Sequence, residues 1–346
     1  MAAAAGLAAA LTGCTGISYY AQSLDGHARI MSARKDLDSL IADPSTPGTL
    51  RERLDSARAV RQFATDELAL PDNDSYRDYV DTGRDFVSLA VYAAPEFALA
   101  PKVWCFAVFG CVPYRGYFSA ESAAKEAAGM RNQGLDVHVT GVIAYSTLGW
   151  MSDPLLNTML GDDETYIASL VFHELAHQRV YVEGDSAFNE AFAVAVETTG
   201  VEKWLSATGN EAGLRRYRAD GKRQADFLAL VAQARDELAR VYAAQTPPEH
   251  KRAAKAQAIE RLRARYREVR DGRWNGYRGY DGWFDAPINN AKLAATSVYN
   301  DHVPAFLRLF GLCSGDYLRF YEAVRRVGTL DASKRAGALA SVKTCG

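Results

Sequence analysis

Residues 168–178 read ASLVFHELAHQ, and they place two histidines four positions apart inside an apolar run. The run predicts a helix over residues 164–182, on which positions i and i+4 share one face, about 6 Å apart along the axis. His173 and His177 can therefore reach one metal ion, and zinc binds imidazole nitrogen readily. Glu174 flanks this pair and is placed to take a proton from a water molecule. The stretch predicts a zinc site with hydrolytic chemistry.

A catalytic zinc site needs a third protein ligand, and we expect it on the following helix. The sequence predicts this helix over residues 186–206, with Asp185 or Ser186 as its N-cap. Counting along two antiparallel helices places Glu190 about 6 Å below the turn and His177 about 7 Å below it. At that level Glu190 would complete a His-His-Glu set.

Glu197 is the second carboxylate on the same face of this helix. It lies nearly two turns deeper than Glu190, which is too far for direct binding to the same ion. We therefore expect Glu197 either to contact a metal-binding side chain without binding the ion itself, or to bind a substrate amine.

Longer stretches around these residues resemble a known bacterial family. HELAHQ at 173–178, followed by FNEAFAVAVE at 188–197, resembles the gluzincin arrangement of HExxH with a downstream Asn-Glu. With AYSTLGWMSDPLL at 144–156 and NNAKLAATSVYNDHVPAF at 289–306, the chain resembles the bacterial lipoproteins described as putative aminopeptidases. The resemblance covers most of the chain after Cys14. It implies a zincin-like body, one Zn²⁺ ion and a peptide substrate.

The resemblance also carries site roles to this chain. It implies that His173, His177 and Glu190 bind zinc and that Glu174 activates water. The separation between His177 and Glu190 is shorter than the usual one of about twenty residues, which Glu197 would match. Glu197 therefore remains the alternative third ligand. The sequence has no GAMEN-like segment, which holds the substrate amine in the large aminopeptidases.

Peptide hydrolysis needs a hydrogen-bond donor for the developing oxyanion. The resemblance makes Tyr299 the first candidate for this catalytic role. His302 in the same segment is a further candidate, and Tyr145 ranks after these two. A packed or surface side chain is the alternative interpretation of each. The strand predicted over 135–145 precedes the metal helix, and in similar metallopeptidases such a strand pairs with extended substrate. An ordinary core strand is the alternative there.

The N-terminus predicts export and lipidation. Residues 2–13 are all Ala, Gly, Leu or Thr, and the segment ends in Leu11-Thr12-Gly13-Cys14, which resembles a bacterial lipobox. Such a run is too short to span a bilayer and is typical of a secretory signal. We expect residues 1–14 to be the signal segment, with Cys14 acylated and holding the protein to the outer membrane, facing the periplasm. A frayed, alanine-rich helix is the alternative.

The other four cysteines are consistent with an oxidising compartment, where an even number suggests two disulfides. Cys105 with Cys111 would close a small loop, and Cys313 with Cys345 would hold the C-terminal tail to the body. The other pairings remain formally possible. No CxxC spacing suggests metal binding by these residues.

The remaining pattern predicts a mainly helical α+β protein with a small sheet. The chain of 346 residues is 48% hydrophobic and 24% charged, which suits a globular protein with a large core. A net charge of −2 gives no reason to expect a nucleic-acid partner.

We expect residues 15–346 to form one metallopeptidase domain with a helical hairpin insertion at about 210–272. Further predicted elements are helices over 26–42, 48–69 and 119–133, short strands within 85–118, and helices over 288–340.

Two interpretations other than an aminopeptidase stay open at this point. One is a zinc amidohydrolase or endopeptidase acting on cell-wall peptides. The other is a non-catalytic lipoprotein of the cell envelope.

Overall fold

The computed structural model describes residues 19–106, 110–144, 146–161, 163–297 and 302–345, which are mainly helical with small sheets. The helices are α1 (19–32), α2 (Leu37–Ala42), α3 (Gly48–Leu68), α4 (Ala120–Asn132), α5 (Glu164–Arg179), α6 (Ser186–Ala207), α7 (Glu211–Ala243), α8 (Pro248–Asp271), α9 (Asp281–Asp285), α10 (Asn290–Ser297), α11 (Val303–Leu312), α12 (Tyr317–Gly328) and α13 (Ala332–Ser341). The strands are β1 (Lys35–Asp36), β2 (Asp78–Val80), β3 (Ser88–Pro95), β4 (Trp104–Phe106), β5 (Gly110–Val112), β6 (Arg115–Tyr117), β7 (Leu135–Val142) and β8 (Leu155–Leu156).

The main core surrounds the pair α5 and α6, which pack against each other. Phe192 of α6 lies fully buried between α11 and α12, with its ring centroid 5.9 Å from that of Phe306 and 5.8 Å from that of Phe320. Gly200 lets α6 approach its neighbours closely, because a Cβ atom there would lie 2.8 Å from Leu68 and 2.9 Å from Phe172. The helix pair is therefore held on several sides by apolar contacts, which restricts how its polar residues can move.

The largest sheet has the strand order β6-β3-β7, and both pairings are antiparallel. Its longest ladder runs from Ser88↔Val142 to Pro95↔Leu135. One face of the sheet packs on α4, and the opposite face contacts α10 through Ala291. The remaining strands form a β1-β2-β8 sheet and a β4-β5 hairpin.

Helices α7 and α8 form a hairpin with its own apolar cluster, to which α9 contributes Phe284. Polar contacts attach this hairpin to the rest of the protein, and two of them involve α10 and β7. The hydroxyl of Tyr242 donates to Asn290 Oδ1 at 2.8 Å, and Lys255 Nζ lies 2.6 Å from the Asp136 carboxylate on β7. The hairpin region predicted from its charged pattern is thus occupied by two long helices.

Most predicted elements agree with the structure, with three differences. The strand predicted over 135–145 ends at Val142. The helix predicted over 26–42 is wrong as one element, because Asp36 pairs with β2 and then caps α2 through its side chain. Helix α5 ends at Arg179 instead of residue 182, because Val180 adopts an extended conformation. Both favoured disulfides, Cys105–Cys111 and Cys313–Cys345, are confirmed.

Within the part of the chain that the structure describes, no helix combines the length and apolar character that a membrane span requires.

Candidate active site

A short turn between α5 and α6 determines which polar residues of the two helices lie opposite each other. Asp185 caps α6 by accepting a hydrogen bond from the Phe188 amide at 3.0 Å. The buried amide of Asn189 crosses the turn: its Nδ2 donates to the Val182 carbonyl and its Oδ1 accepts from the Val182 amide, both at 2.8 Å. Because Asn189 directly precedes Glu190, these bonds fix the position of the backbone from which the Glu190 side chain extends.

Two imidazoles and one carboxylate converge below this turn. His173 Nε2 lies 3.3 Å from His177 Nε2 and 3.2 Å from Glu190 Oε2. His177 Nε2 lies 3.7 Å from Glu190 Oε1. The donor atoms of the three residues all fall within 4.8 Å of one another, a geometry that could hold one metal ion. Two nitrogen donors and one carboxylate oxygen are a ligand set that suits a catalytic zinc site with an open position.

Glu197 meets the same histidine from the other side. Its Oε2 lies 3.1 Å from His173 Nδ1, whereas Glu190 faces Nε2. With Nδ1–H donating to Glu197, the Nε2 lone pair of His173 is free to bind a cation. Of the two carboxylates left open as third ligand, Glu190 is therefore the one that faces both Nε2 atoms.

The electrostatics of this cluster favour a positive charge at its centre. Burial by itself lowers the pKa of His173, but hydrogen bonds with Glu190 and Glu197 outweigh it and hold that pKa well above the usual value. Burial, with the nearby charge of His173, lowers the pKa of His177 to about 4. Burial also acts to raise the pKa of Glu190, yet its contacts with the two histidines lower it. Two carboxylates around one imidazole thus attract a cation, and a divalent ion fits this demand.

Glu174 lies beside the cluster and is only partly exposed. Burial raises its pKa to about 7, and the charge of Glu190 acts in the same direction, while the charge of His173 opposes it. The nearby Ser146 hydroxyl acts to lower the pKa of Glu174. A carboxylate with a pKa near neutrality can both accept and release a proton, as a general base must during a catalytic cycle.

Ser146 belongs to a polar network that sequence reasoning missed. Asp153, only 1% exposed, accepts from Ser146 Oγ at 3.2 Å, from the Thr147 amide at 3.0 Å and from Gln178 Nε2 at 3.4 Å. Tyr76 lies near the same group with a left-handed backbone (φ 64°), and its buried hydroxyl has no hydrogen-bond partner among the described residues. The only available signal was the family resemblance of residues 144–156, which names no role for these positions.

Tyr114 is a second residue that sequence reasoning missed. It lies between β5 and β6 with its ring 5.5 Å from that of Tyr92, on the sheet face that contacts α10. Burial raises its pKa, and the charges of Glu190 and Glu174 add to this effect, so its hydroxyl lies within electrostatic reach of both carboxylates. In the sequence it was one aromatic residue among several in a strand-rich segment.

Some predicted site residues do not join the cluster or cannot be placed. His302 precedes α11 as its N-cap and is not part of the His173–His177–Glu190 group found among the described residues. Tyr145, Tyr299 and Cys14 lie outside the described residues.

Comparison with known proteins gives one match. Searches of curated proteins and of solved structures found no significant similarity. A family model described as "Putative aminopeptidase" matches residues 18–339, which is most of the chain and includes both helices of the site. This family name suggests a hydrolase that acts on peptides, in agreement with the sequence resemblance. The chain therefore belongs to the putative aminopeptidase family.

Proposed function

We propose that this protein is a zinc-dependent peptidase, of the aminopeptidase type, in which His173, His177 and Glu190 bind the ion. The observation that carries the proposal is the convergence of these three side chains from α5 and α6, with donor atoms within 4.8 Å of one another. Membership of the putative aminopeptidase family supports peptides as the substrate class. The position of Glu197 at His173 Nδ1 supports Glu190 over Glu197 as the third ligand.

A bound zinc ion would polarise the scissile carbonyl and lower the pKa of a water molecule beside it. The residues of the chain supply the rest of the chemistry. Glu174 accepts a proton from the attacking water and passes it to the nitrogen of the leaving amine. Glu197 holds His173 in one tautomer and one orientation throughout. Apolar residues of α5 and α6 surround the partly exposed cluster and limit its contact with bulk water, which strengthens these interactions.

For substrate binding, we propose β7 as a pairing edge. β7 is the last strand in the order β6-β3-β7, so one of its sides has no strand partner among the described residues. On that side the Val137 carbonyl accepts from Asn289 Nδ2 at 3.0 Å, and the Ile143 carbonyl accepts from the Thr158 hydroxyl. The backbone between these two contacts is available to an extended peptide.

The oxyanion donor remains a choice between tyrosines. We keep Tyr299 as the candidate that the family resemblance supports. Tyr114 is a further candidate, since its hydroxyl is close enough to sense the charges of both Glu174 and Glu190. Replacing each by Phe and comparing the loss of kcat separates the two roles.

We also propose that Cys14 is acylated and that the protein faces the periplasm from the outer membrane. The two disulfides support an oxidising compartment, since such bonds are rare in reducing cytosol. Mass spectrometry of the purified N-terminal peptide tests this: the expected result is a diacyl or triacyl modification on Cys14. An unmodified Cys14 in mature protein would refute it.

The central test combines metal analysis with peptide hydrolysis. Wild-type protein is expected to contain one zinc ion per chain and to cleave peptides with free N-termini but not N-blocked ones. Glu190→Ala should lose the ion, whereas Glu197→Ala should only weaken its binding. Loss of the ion in Glu197→Ala alone would overturn the ligand assignment. Cleavage of blocked peptides would favour an endopeptidase, and no hydrolysis by zinc-loaded protein would contradict the proposed function.

A further inference from the structure

The loop between β7 and β8 runs along the face of α5 beside the metal-binding face. At its start, the Ser146 hydroxyl donates to Asp153 Oδ2 at 3.2 Å. Further along, a Cβ atom on Gly149 would lie 3.4 Å from Gln178 Cγ, and Asp153 accepts from Gln178 Nε2. Glu174 and Gln178 are one turn apart on α5 and follow His173 and His177 by one residue each. The loop therefore packs against α5 at Gln178, the residue that directly follows His177.

Internal hydrogen bonds hold this loop in one conformation. The Thr147 amide donates to Asp153, and the Thr147 hydroxyl donates to the Met151 carbonyl and accepts from the Met151 amide, both at 3.1 Å. The Trp150 amide donates to the Thr147 carbonyl at 3.1 Å. Leu148 has a left-handed backbone (φ 56°), which costs energy for a side chain other than glycine. Strained backbone of this kind is frequent at functional sites, where the surrounding contacts maintain it.

The loop presents its largest apolar side chain to solvent. Trp150 is 79% exposed, and Met151 after it is 51% exposed. Among the described residues, no hydrogen bond or ring contact engages the Trp150 indole. None of the hydrogen bonds that stiffen the loop uses that side chain. A rigidly held, exposed tryptophan beside a candidate catalytic site is typical of a ligand-binding surface.

We propose that Trp150 and Met151 form an apolar platform at the rim of the candidate active site that binds a large apolar side chain of the peptide substrate. The proposal rests on the proposed peptidase function and adds a specificity determinant to it. The indole offers a large, flat surface and loses little conformational entropy on binding, because the loop already holds its backbone. The thioether of Met151, whose Sδ lies 3.1 Å from His27 Nε2, adds polarisable surface beside the indole.

The first experiment compares Trp150→Ala with wild-type protein on two peptides that differ only in one side chain, Phe or Ala. We expect KM for the Phe peptide to rise about 10- to 100-fold, with KM for the Ala peptide and both kcat values nearly unchanged. Trp150→Phe should restore most of the affinity, because it keeps an aromatic surface. Leu318→Ala is a matched control, since Leu318 on α12 is 54% exposed and should leave both KM values unchanged. Equal KM values for the Phe peptide in wild type and Trp150→Ala would overturn the proposal.

A second experiment measures binding without hydrolysis. Glu174→Gln protein, loaded with zinc, is titrated with the Phe peptide by calorimetry, with and without the additional Trp150→Ala change. We expect the double variant to bind about 10-fold more weakly or worse. If zinc-loaded wild type hydrolyses no peptide, the proposed function fails, but a Trp150-dependent affinity for the Phe peptide would still support the platform. If wild type cleaves peptides and Trp150→Ala binds them equally well, only the platform is refuted.

Discussion

The Glu197 carboxylate lies 3.1 Å from Nδ1 of His173, on the side of the imidazole opposite to Glu190. One histidine is thus held between two carboxylates of the same helix, two turns apart. In metal sites, a carboxylate in the position of Glu197 orients the ligand and raises its basicity without touching the ion.

Replacing Glu197 by Gln should therefore weaken metal binding without abolishing it. The amide keeps a hydrogen-bonding group near His173 Nδ1 but loses the negative charge that supports the ligand. We expect a 10- to 100-fold lower zinc affinity, measured by competition with a chelator of known strength. Glu202→Gln is a suitable control, because Glu202 lies on the same helix and pairs with Arg218 at the surface. Unchanged zinc affinity in Glu197→Gln would contradict this role.

Glu174→Gln should remove catalysis while leaving the metal in place. The amide cannot accept a proton, and Glu174 lies outside the group of three donor residues. We expect kcat to fall by about 10²- to 10⁴-fold, with zinc content equal to that of wild type. A variant that loses zinc as well would indicate that Glu174 supports the ligands directly.

The pH dependence of activity should follow the same carboxylate. Burial raises the pKa of Glu174 to about 7, and only the deprotonated form accepts a proton from water, so activity is lost as pH falls through that pKa. A bound cation beside it would lower this pKa, so we expect the acid limb of kcat/KM between about pH 5 and pH 7. The measurement is a pH profile on zinc-loaded protein, with metal content checked at each pH. A flat profile from pH 5 to 8 would argue against Glu174 as the base.

Asn189→Ala should weaken the turn between α5 and α6 and thereby displace the metal-binding residues. The change removes both hydrogen bonds to Val182 and leaves its backbone groups without these partners, which costs about 1–3 kcal/mol of stability. Because Glu190 follows directly, we also expect weaker zinc binding. Urea unfolding and zinc titration measure the two effects. Asn189→Asp keeps the acceptor and should fall between wild type and Asn189→Ala in both.

The Cys313–Cys345 disulfide should contribute to stability through the C-terminal tail. It closes a loop of sequence separation 32, and removing such a bond costs about 2–4 kcal/mol. We expect Cys313→Ser with Cys345→Ser to lower the unfolding midpoint and to leave zinc content unchanged, since neither residue belongs to the His173–His177–Glu190 group. Equal stability of the double variant and wild type would show that the bond is dispensable.

Much of the fold followed from local patterns. The limits of α3, α4 and α6 were predicted closely, because capping residues and apolar periodicity act within a few positions. The predicted helix over 26–42 failed for a nonlocal reason: Asp36 pairs with Asp78 on β2, and no periodicity within α1 reveals that partner.

The loop residues near the site were beyond local reasoning. Ser146, Asp153 and Trp150 precede the metal helix by many positions, and their relation to Glu174 depends on how β7, the loop and α5 fold together. Their residue types alone are compatible with an ordinary surface loop. Only the contacts of Gly149 and Asp153 with Gln178 bring the loop against α5, one residue after His177.

By itself, the sequence determined that His173 and His177 share one face of a helix and that Glu174 flanks them, because helix geometry depends only on spacing along the chain. It also restricted the third ligand to a carboxylate of the next helix. The tertiary structure alone decided that Glu190 faces both Nε2 atoms and Glu197 meets His173 Nδ1. That choice depends on where α5 ends, how the turn is braced by Asn189 and how closely the two helices pack, and these are properties of distant contacts that spacing does not encode.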